Sequence, residues 1–445
     1  MENNITSDIS NINKLDGRVP LKNAIPFGVQ HVLAMFVANL APVFIVASAA
    51  GLTGEDISML IQNIMIAAGI GTLIQLYPIW KIGSRLPIVM GASFTFVAIY
   101  SYIGATFGYG AVVGAVIVGG IFEGFVGLSA KYWRKIISPV VSSVVVITIG
   151  YSLIGVGVRS FGGGYHPDFG SAQNITLGSI TFLTCILFNA LAKGYLKQLS
   201  ILAGLVVGYA IACVIGAVDF SGFKDIDLIA LPHLLPFTPE FHLSAILSVC
   251  IIYLVSATET IGDTTAMVKM GLDRDATDKE IQGSLACDGF ASSISGLFGC
   301  LSVTSFSQNV GIIALTKVVN RFTLMTGAVA MILAGFVPAI GVFFSSLPDA
   351  VLGGCTIMLF GSIMASGMRM FADAGFTQRN LLIAAITISV GIGFTLPSEE
   401  QIWQVFPQVI KDIFTGNCVA LVFLLAVILN LVLPKDMEIH PSSAK

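Results

Sequence analysis

Apolar stretches of roughly 20 residues, the length a helix needs to cross a bilayer core, recur from one end of the chain to the other. They predict fourteen spans: 25–50, 56–79, 88–106, 108–130, 137–161, 174–192, 199–218, 243–267, 280–301, 302–318, 321–347, 349–373, 378–399 and 416–434. The third and tenth are short and carry glycine, serine and threonine in mid-run. About 24 mostly polar residues precede the first span, and that span is too long for a signal-peptide core, so no cleavable leader is expected.

Composition agrees with this pattern. Of 445 residues 55% are hydrophobic and only 11% charged, and the mean hydropathy is +0.90. Soluble domains carry about a quarter charged residues, so most of this surface must face lipid. The 47 glycines suit close approach of membrane helices. A net charge of −3, without a basic tract, excludes nucleic acid as a partner. All seven cysteines fall in apolar runs without metal-ligand spacing, which leaves no expected metal or cofactor.

Charge placement tests the span count. With the N-terminus in the cytoplasm, the cytoplasmic segments hold residues 14–22, 81–85, 131–135, 193–197, 269–279, 317–321, 369–379 and 435–445. Together they contain 19 of the 22 lysines and arginines, leaving Arg159, Lys224 and Lys411 outside. The positive-inside rule predicts such a bias, and a missed span would scramble it. The expectation is therefore a multi-pass protein of the cytoplasmic membrane with both termini inside. Seven spans followed by seven more give the second half the opposite orientation, the layout of an inverted repeat. One echo supports it: Gly91-Ala92-Ser93-Phe94-Thr95 in the third span and Thr304-Ser305-Phe306-Ser307-Gln308 in the tenth share a Ser-Phe pair 212 residues apart. Interrupted segments in matching positions of two halves point to a binding site at the midplane.

Ionisable groups inside spans need a reason, because each costs roughly 2.5–3.5 kcal/mol at a helix centre. Glu259 and Asp263 are four apart and share a helix face. Glu259 and Asp288 each lie eight residues from the cytoplasmic end of adjacent spans, about 12 Å deep at 1.5 Å per residue. Such a pair suits a proton or substrate site; the alternative is hydrogen bonding between helices without a transport role. Glu123, near Lys131, is expected to reach the interface or pair with a loop cation, a structural role. His31 is either a helix–helix hydrogen bonder or a group that tunes a nearby carboxylate.

The tenth span also contains Gln308-Asn309-Val310-Gly311-Ile312-Ile313-Ala314-Leu315-Thr316-Lys317. This resembles the signature of the nucleobase–ascorbate transporter (nucleobase:cation symporter-2) family, bacterial xanthine and uric acid permease type. In that signature Gln or Glu is followed by Asn, then Gly two later, then Thr five after that. Gln30-His31, Ser93-Phe94, Glu259 with Gly262-Asp263, and Asp288 extend the resemblance over most of the chain.

The resemblance implies an all-α polytopic fold of two inverted seven-span repeats, with short strands in spans 3 and 10. Between a cytoplasmic N-terminal tail (1–24) and C-terminal tail (435–445), spans 1–4 (25–130) and 8–11 (243–347) would form a core. Spans 5–7 (137–218) and 12–14 (349–434) would form a gate and much of a homodimer interface. It implies proton-coupled uptake of a purine, not an enzyme, by elevator-like motion of core against gate. Glu259, Gln308, Phe94, Phe306, Ser307, Ser93 and Thr95 would meet the base. Asp288, His31, Asp263 and Asn309 would couple the proton or tune the site, with Asn309 holding the motif in shape. Gln308 carries donor and acceptor on one planar group and matches an amide-like base edge. By resemblance, uracil carriers have Glu there, so Gln308 favours a purine; Thr95 sits where xanthine and uric acid carriers differ. A pyrimidine, hypoxanthine or guanine carrier, an anion exchanger or channel of the same plan, and an intramembrane enzyme are the competing readings. Buried Glu259 and Asp288 argue against an anion path, and no nucleophile–base pair accompanies them.

Overall fold

The computed structural model describes residues 8–224, 226–415, 417–434 and 437, so Lys435 and Lys445 lie outside the described residues. It is built almost wholly of helices: α1 Leu21–Ala49, α2 Gly54–Leu76, α3 Val97–Phe107, α4 Tyr109–Leu128, the single turn α5 Ala130–Trp133, α6 Pro139–Phe161, α7 Ala172–Leu191 and α8 Ser200–Val214. After an irregular stretch follow α9 Leu243–Leu272, α10 Asp278–Leu297, α11 Ser307–Thr316, α12 Arg321–Gly335, α13 Pro338–Ser345, α14 Asp349–Ala374, α15 Gln378–Gly393, α16 Gln408–Phe414 and α17 Cys418–Val432. Two three-residue strands, β1 Met90–Ala92 and β2 Val303–Ser305, precede α3 and α11.

Each of the fourteen predicted ranges thus holds a helix or a strand–helix unit. Eight helices among the described residues are long and apolar enough to cross a bilayer, or ten if two bent pairs count as one span each. One such pair is α12 and α13, which meet at 77° just before Pro338. The ranges that fail the test do so for physical reasons. The β1–α3 and β2–α11 units and α15 are short, while α10 is diluted by Asp288 and its serines and glycines.

Local chemistry sets the helix starts. Thr53 and Asp56 at α2, and Thr277 and Glu280 at α10, form capping boxes that satisfy first-turn N–H groups. The helices pack in two groups. α1 and α2 pack on α12, α4 on α9 and α10, and α13 on α2. Separately, α6 packs on α14 and α17, α7 on α8 and α14, and α15 on α17.

Several loops carrying the basic residues meet on one face. Arg321 pairs with Asp16 and donates to the Leu76 carbonyl at 2.8 Å, and Arg134 pairs with Asp278. Gly83 N–H donates to Gly283 at 2.9 Å, and Lys317 reaches the Met270 carbonyl. The side-chain amide of Asn320 donates to the carbonyls of Asn11, Lys14 and Gly17, pinning the N-terminal segment to the same face.

Candidate functional site

β1 and β2 cross antiparallel, with Met90 opposite Ser305, Gly91 opposite Thr304 and Ala92 opposite Val303. Ser93 N–H to Ser302 O (2.9 Å) and Phe306 N–H to Val89 O (3.1 Å) extend the ladder. A two-stranded ladder leaves outer backbone groups unpaired, which is tolerable at membrane depth only when other groups satisfy them. Polar side chains of the flanking helices do so. Asn39 of α1 accepts from Ala92 N–H at 2.8 Å, and Thr72 of α2 accepts from Met90 N–H at 2.9 Å. Ser292 of α10 both accepts from Val303 N–H and donates to Val303 O, each at 3.0 Å. Thr72 and Ser292 do the same work for the first residue of each strand, as an inverted repeat would require. Gly91 is needed where β1 passes under Phe306, because a Cβ there would lie 2.4 Å from the Phe306 ring and 2.6 Å from Met35.

α9 runs past both breaks and ties them together. Thr95, just after β1, donates its hydroxyl proton to a Glu259 carboxylate oxygen at 2.7 Å. One turn further along the same face, Asp263 accepts from Ser305 at 3.0 Å and from Ser307 at 2.7 Å, both at the β2–α11 break. The four-residue spacing of the two carboxylates therefore serves one face but two different breaks. Glu259 is half-buried, and its other oxygen and the half-buried Gln308 amide make no hydrogen bond among the described residues. The free Glu259 acceptor by the first break, and the Gln308 amide in the first turn of α11 beside the positive end of its helix dipole, can bind a polar or amide-bearing ligand.

Asp288 is placed differently from the expected pair with Glu259. It is fully buried and held by Thr260 and Thr304, with Thr304 at 2.9 Å and the Gln75 amide at 3.3 Å. Thr260 is the neighbour of Glu259 on α9, so the two carboxyls sit on different faces of that helix, with Asp288 behind the ladder. His31 bonds Asn309, not a carboxylate: its Nδ1 lies 3.2 Å from Asn309 Oδ1, and both side chains are buried. That bond links α1 to the first turn of α11 and holds the signature segment in place. The Nε2 of His31 and the amide nitrogen of Asn309 have no partner among the described residues.

Other predicted contacts also resolve into distinct positions. The Ser93 hydroxyl accepts from Thr95 N–H at 3.3 Å, capping the short turn 94–96 that aims Thr95 at Glu259. Phe306 is buried over Gly91, on the α1 side of the ladder. Phe94 packs edge-on against Phe360 of α14, ring centroids 5.5 Å apart, and so bridges the two helix groups. Sequence reasoning missed Gln75, Thr260, Thr304, Ser305 and Phe360. Only Thr304 and Ser305 carried a signal, as part of the repeated Ser-Phe segment.

Glu123 corrects an expectation outright. It reaches neither the interface nor a cation: it is 1% exposed, and neither carboxyl oxygen has a hydrogen-bond partner among the described residues.

Comparison with known proteins places this architecture. A family model described as a permease family, Xan_ur_permease, matches residues 22–399. The chain is 32% identical over 448 residues to the xanthine permease XanQ of Escherichia coli (strain K12), covering 97% of this chain and 95% of that protein. It is 33% identical over 413 residues to the uric acid permease PucJ of Bacillus subtilis (strain 168), covering 90% of each. Among solved structures, the transmembrane domain of a cyanobacterium bicarbonate transporter, BicA, superposes with a TM-score of 0.59 at 13% identity, over 90% of this chain and 97% of that one. At that identity the likeness speaks to the fold alone.

Proposed function

The chain belongs to the xanthine and uric acid permease family, and from that premise we propose that it takes up a purine base, xanthine or uric acid, across the cytoplasmic membrane together with protons. The observation that carries the substrate is the pairing of two breaks. One carries Thr95, which orients Glu259 of α9, and the other carries a Gln308 amide without a hydrogen bond among the described residues. An oxidised purine has N–H donors for the carboxylate and an alternating C=O and N–H edge for the amide, so one flat ligand can use both. The names of the two relatives, a xanthine and a uric acid permease, agree with that chemistry.

In this reading fourteen crossings form two inverted repeats of seven. Ranges 25–130 and 243–347 form a core, 137–218 and 349–434 form a gate, and the core slides against the gate to carry the base between the two sides of the membrane. The two helix groups, bridged at the site by Phe94 on Phe360, support that division. The clustered basic loops support cytoplasmic termini under the positive-inside rule. The working unit is a homodimer in lipid that needs no cofactor beyond the coupling proton.

Gln308→Glu tests the recognition role. The substitution replaces the amide's donors with a second carboxylate acceptor at the site. Purine affinity should fall about 10- to 100-fold, the equivalent of one or two lost hydrogen bonds. Competition of labelled xanthine uptake by xanthine, uric acid, hypoxanthine, guanine and uracil measures it. An unchanged profile across all five bases removes Gln308 from the site.

A further inference from the structure

Glu123 sits in α4 where that helix comes closest to α10. A Cβ at Gly289 would lie 2.1 Å from the Gly124 nitrogen and 2.7 Å from the Glu123 carbonyl carbon, so the two backbones are in contact. A Cβ at Gly119 would lie 2.4 Å from the Tyr253 ring, so α9 presses on the same stretch of α4. This close packing seals the Glu123 side chain between site-bearing helices. The titratable groups that act on it electrostatically are Asp288 from α10, Glu259 and Tyr253 from α9, and Tyr100 from α3, none of them a cation. An ionised carboxylate buried without a partner costs several kcal/mol, so in this closed packing the side chain is stable as the neutral acid, and its proton moves only when the α4–α10 contact loosens and a partner reaches the carboxylate.

The α9 face toward α4 is lined with hydroxyls. Tyr253, Ser256 and Thr260 follow one another at helical spacing. Tyr253 lies 2.5 Å from the Ser302 hydroxyl, which Tyr100 also contacts, and Thr260 donates to Asp288. Ser256, between them, is buried with its hydroxyl unpaired among the described residues, like the Glu123 carboxyl. Two unpartnered polar groups beside a row of hydroxyls, interrupted at Ser256 and ending at Thr260 on Asp288, leave unused hydrogen-bonding capacity between Glu123 and Asp288.

We propose that Glu123 is a proton-holding residue of the transport cycle, exchanging its proton with Asp288 along the Ser256–Thr260 face of α9. The proton leaves a carboxyl oxygen of Glu123 and is taken by a carboxylate oxygen of Asp288. The set's net charge therefore stays constant until it opens to water on one side. This rests on the proton-coupled reading above.

The experiment measures labelled xanthine accumulation and xanthine–xanthine counterflow in cells lacking their own carriers, for wild type, Glu123→Gln and Glu123→Asp, with and without a protonophore. Glu123→Gln should lower protonophore-sensitive accumulation at least about tenfold, the order sustained by one coupled charge across a typical membrane potential. Counterflow, which needs no net proton movement, should fall much less. Glu123→Asp should recover part of the accumulation with a shifted pH midpoint. Wild-type accumulation and protonophore response in Glu123→Gln overturn the proposal. If that variant is absent from the membrane, Glu123→Asp decides, and an unshifted pH profile overturns it. Wild-type uptake insensitive to the protonophore would instead defeat proton coupling itself, a distinguishable failure.

Discussion

Glu259→Gln is expected to abolish purine accumulation while leaving the protein in the membrane. Among the described residues the carboxylate is held by one donor, the Thr95 hydroxyl at 2.7 Å, which leaves its remaining acceptor capacity for a ligand. Hydrogen bonds to a charged group contribute about 1.5–3 kcal/mol each, so losing two to a base lowers affinity by at least about 100-fold. A glutamine preserves size and can still accept from Thr95, so the fold should tolerate it. Thr95→Ala should show a smaller loss, because it frees the carboxylate to rotate without removing it. Labelled xanthine uptake, normalised to membrane abundance, is the measurement. Wild-type uptake by Glu259→Gln would remove this residue from the site.

Asp288→Ala should fail in a second way, through stability. The Asp288 carboxylate collects Thr260, Thr304 and Gln75 in a fully buried position behind the ladder. Removing it leaves Thr260 and Thr304 with only each other at 3.2 Å, while Gln75 keeps its bonds to Ser284, and each buried group left unsatisfied costs about 1–3 kcal/mol. The β2 strand would lose the anchor of Thr304 and with it the register that aims Ser305 and Gln308. The expected result is loss of uptake together with a clear drop in thermal unfolding temperature in detergent. Asp288→Asn, which keeps acceptors for some of the donors, should retain much of the stability. Equal unfolding temperatures for wild type and Asp288→Ala would show that the network is not structural.

The contrast between these two residues shows where sequence reading ends. Depth from the cytoplasmic end placed Glu259 and Asp288 at one level, and helical spacing put Glu259 and Asp263 on one face. Both arguments depend only on helix geometry. Neither could say that Asp288 turns toward Thr304 and away from Glu259, because helix rotation is decided by packing against neighbours. The apolar runs predicted the helices, since a bilayer demands their length, and the Ser-Phe echo marked both strand breaks. The supporting polar groups stayed hidden for a different reason. Asn39, Thr72, Gln75, Thr260 and Ser292 are single polar residues in apolar helices, and nothing in their spacing distinguishes a strand-capping threonine from one bonded to its own helix. Phe360 was invisible because its partner, Phe94, lies 266 positions away. Glu123 was misread because a nearby Lys131 offered an easy partner, whereas the glycines of α4 draw that face into the protein and away from the loop.

The charge argument and the fold meet at the loop face. Arg321 on Asp16 and Leu76, and Arg134 on Asp278, are contacts between segments that hydropathy alone had assigned to one side. The agreement comes from one constraint: loops on the same side of a membrane are free to touch, and loops on opposite sides are not.

The most direct test is uptake of labelled xanthine and uric acid by the wild-type protein in cells lacking their own carriers, with uracil as competitor, with and without a protonophore. The predicted result is saturable uptake of at least one of the two purines that excess uracil does not inhibit and that collapses when the proton gradient is dissipated. Uptake driven by sodium and indifferent to the protonophore, or uracil displacing the purines at equal concentration, would contradict it.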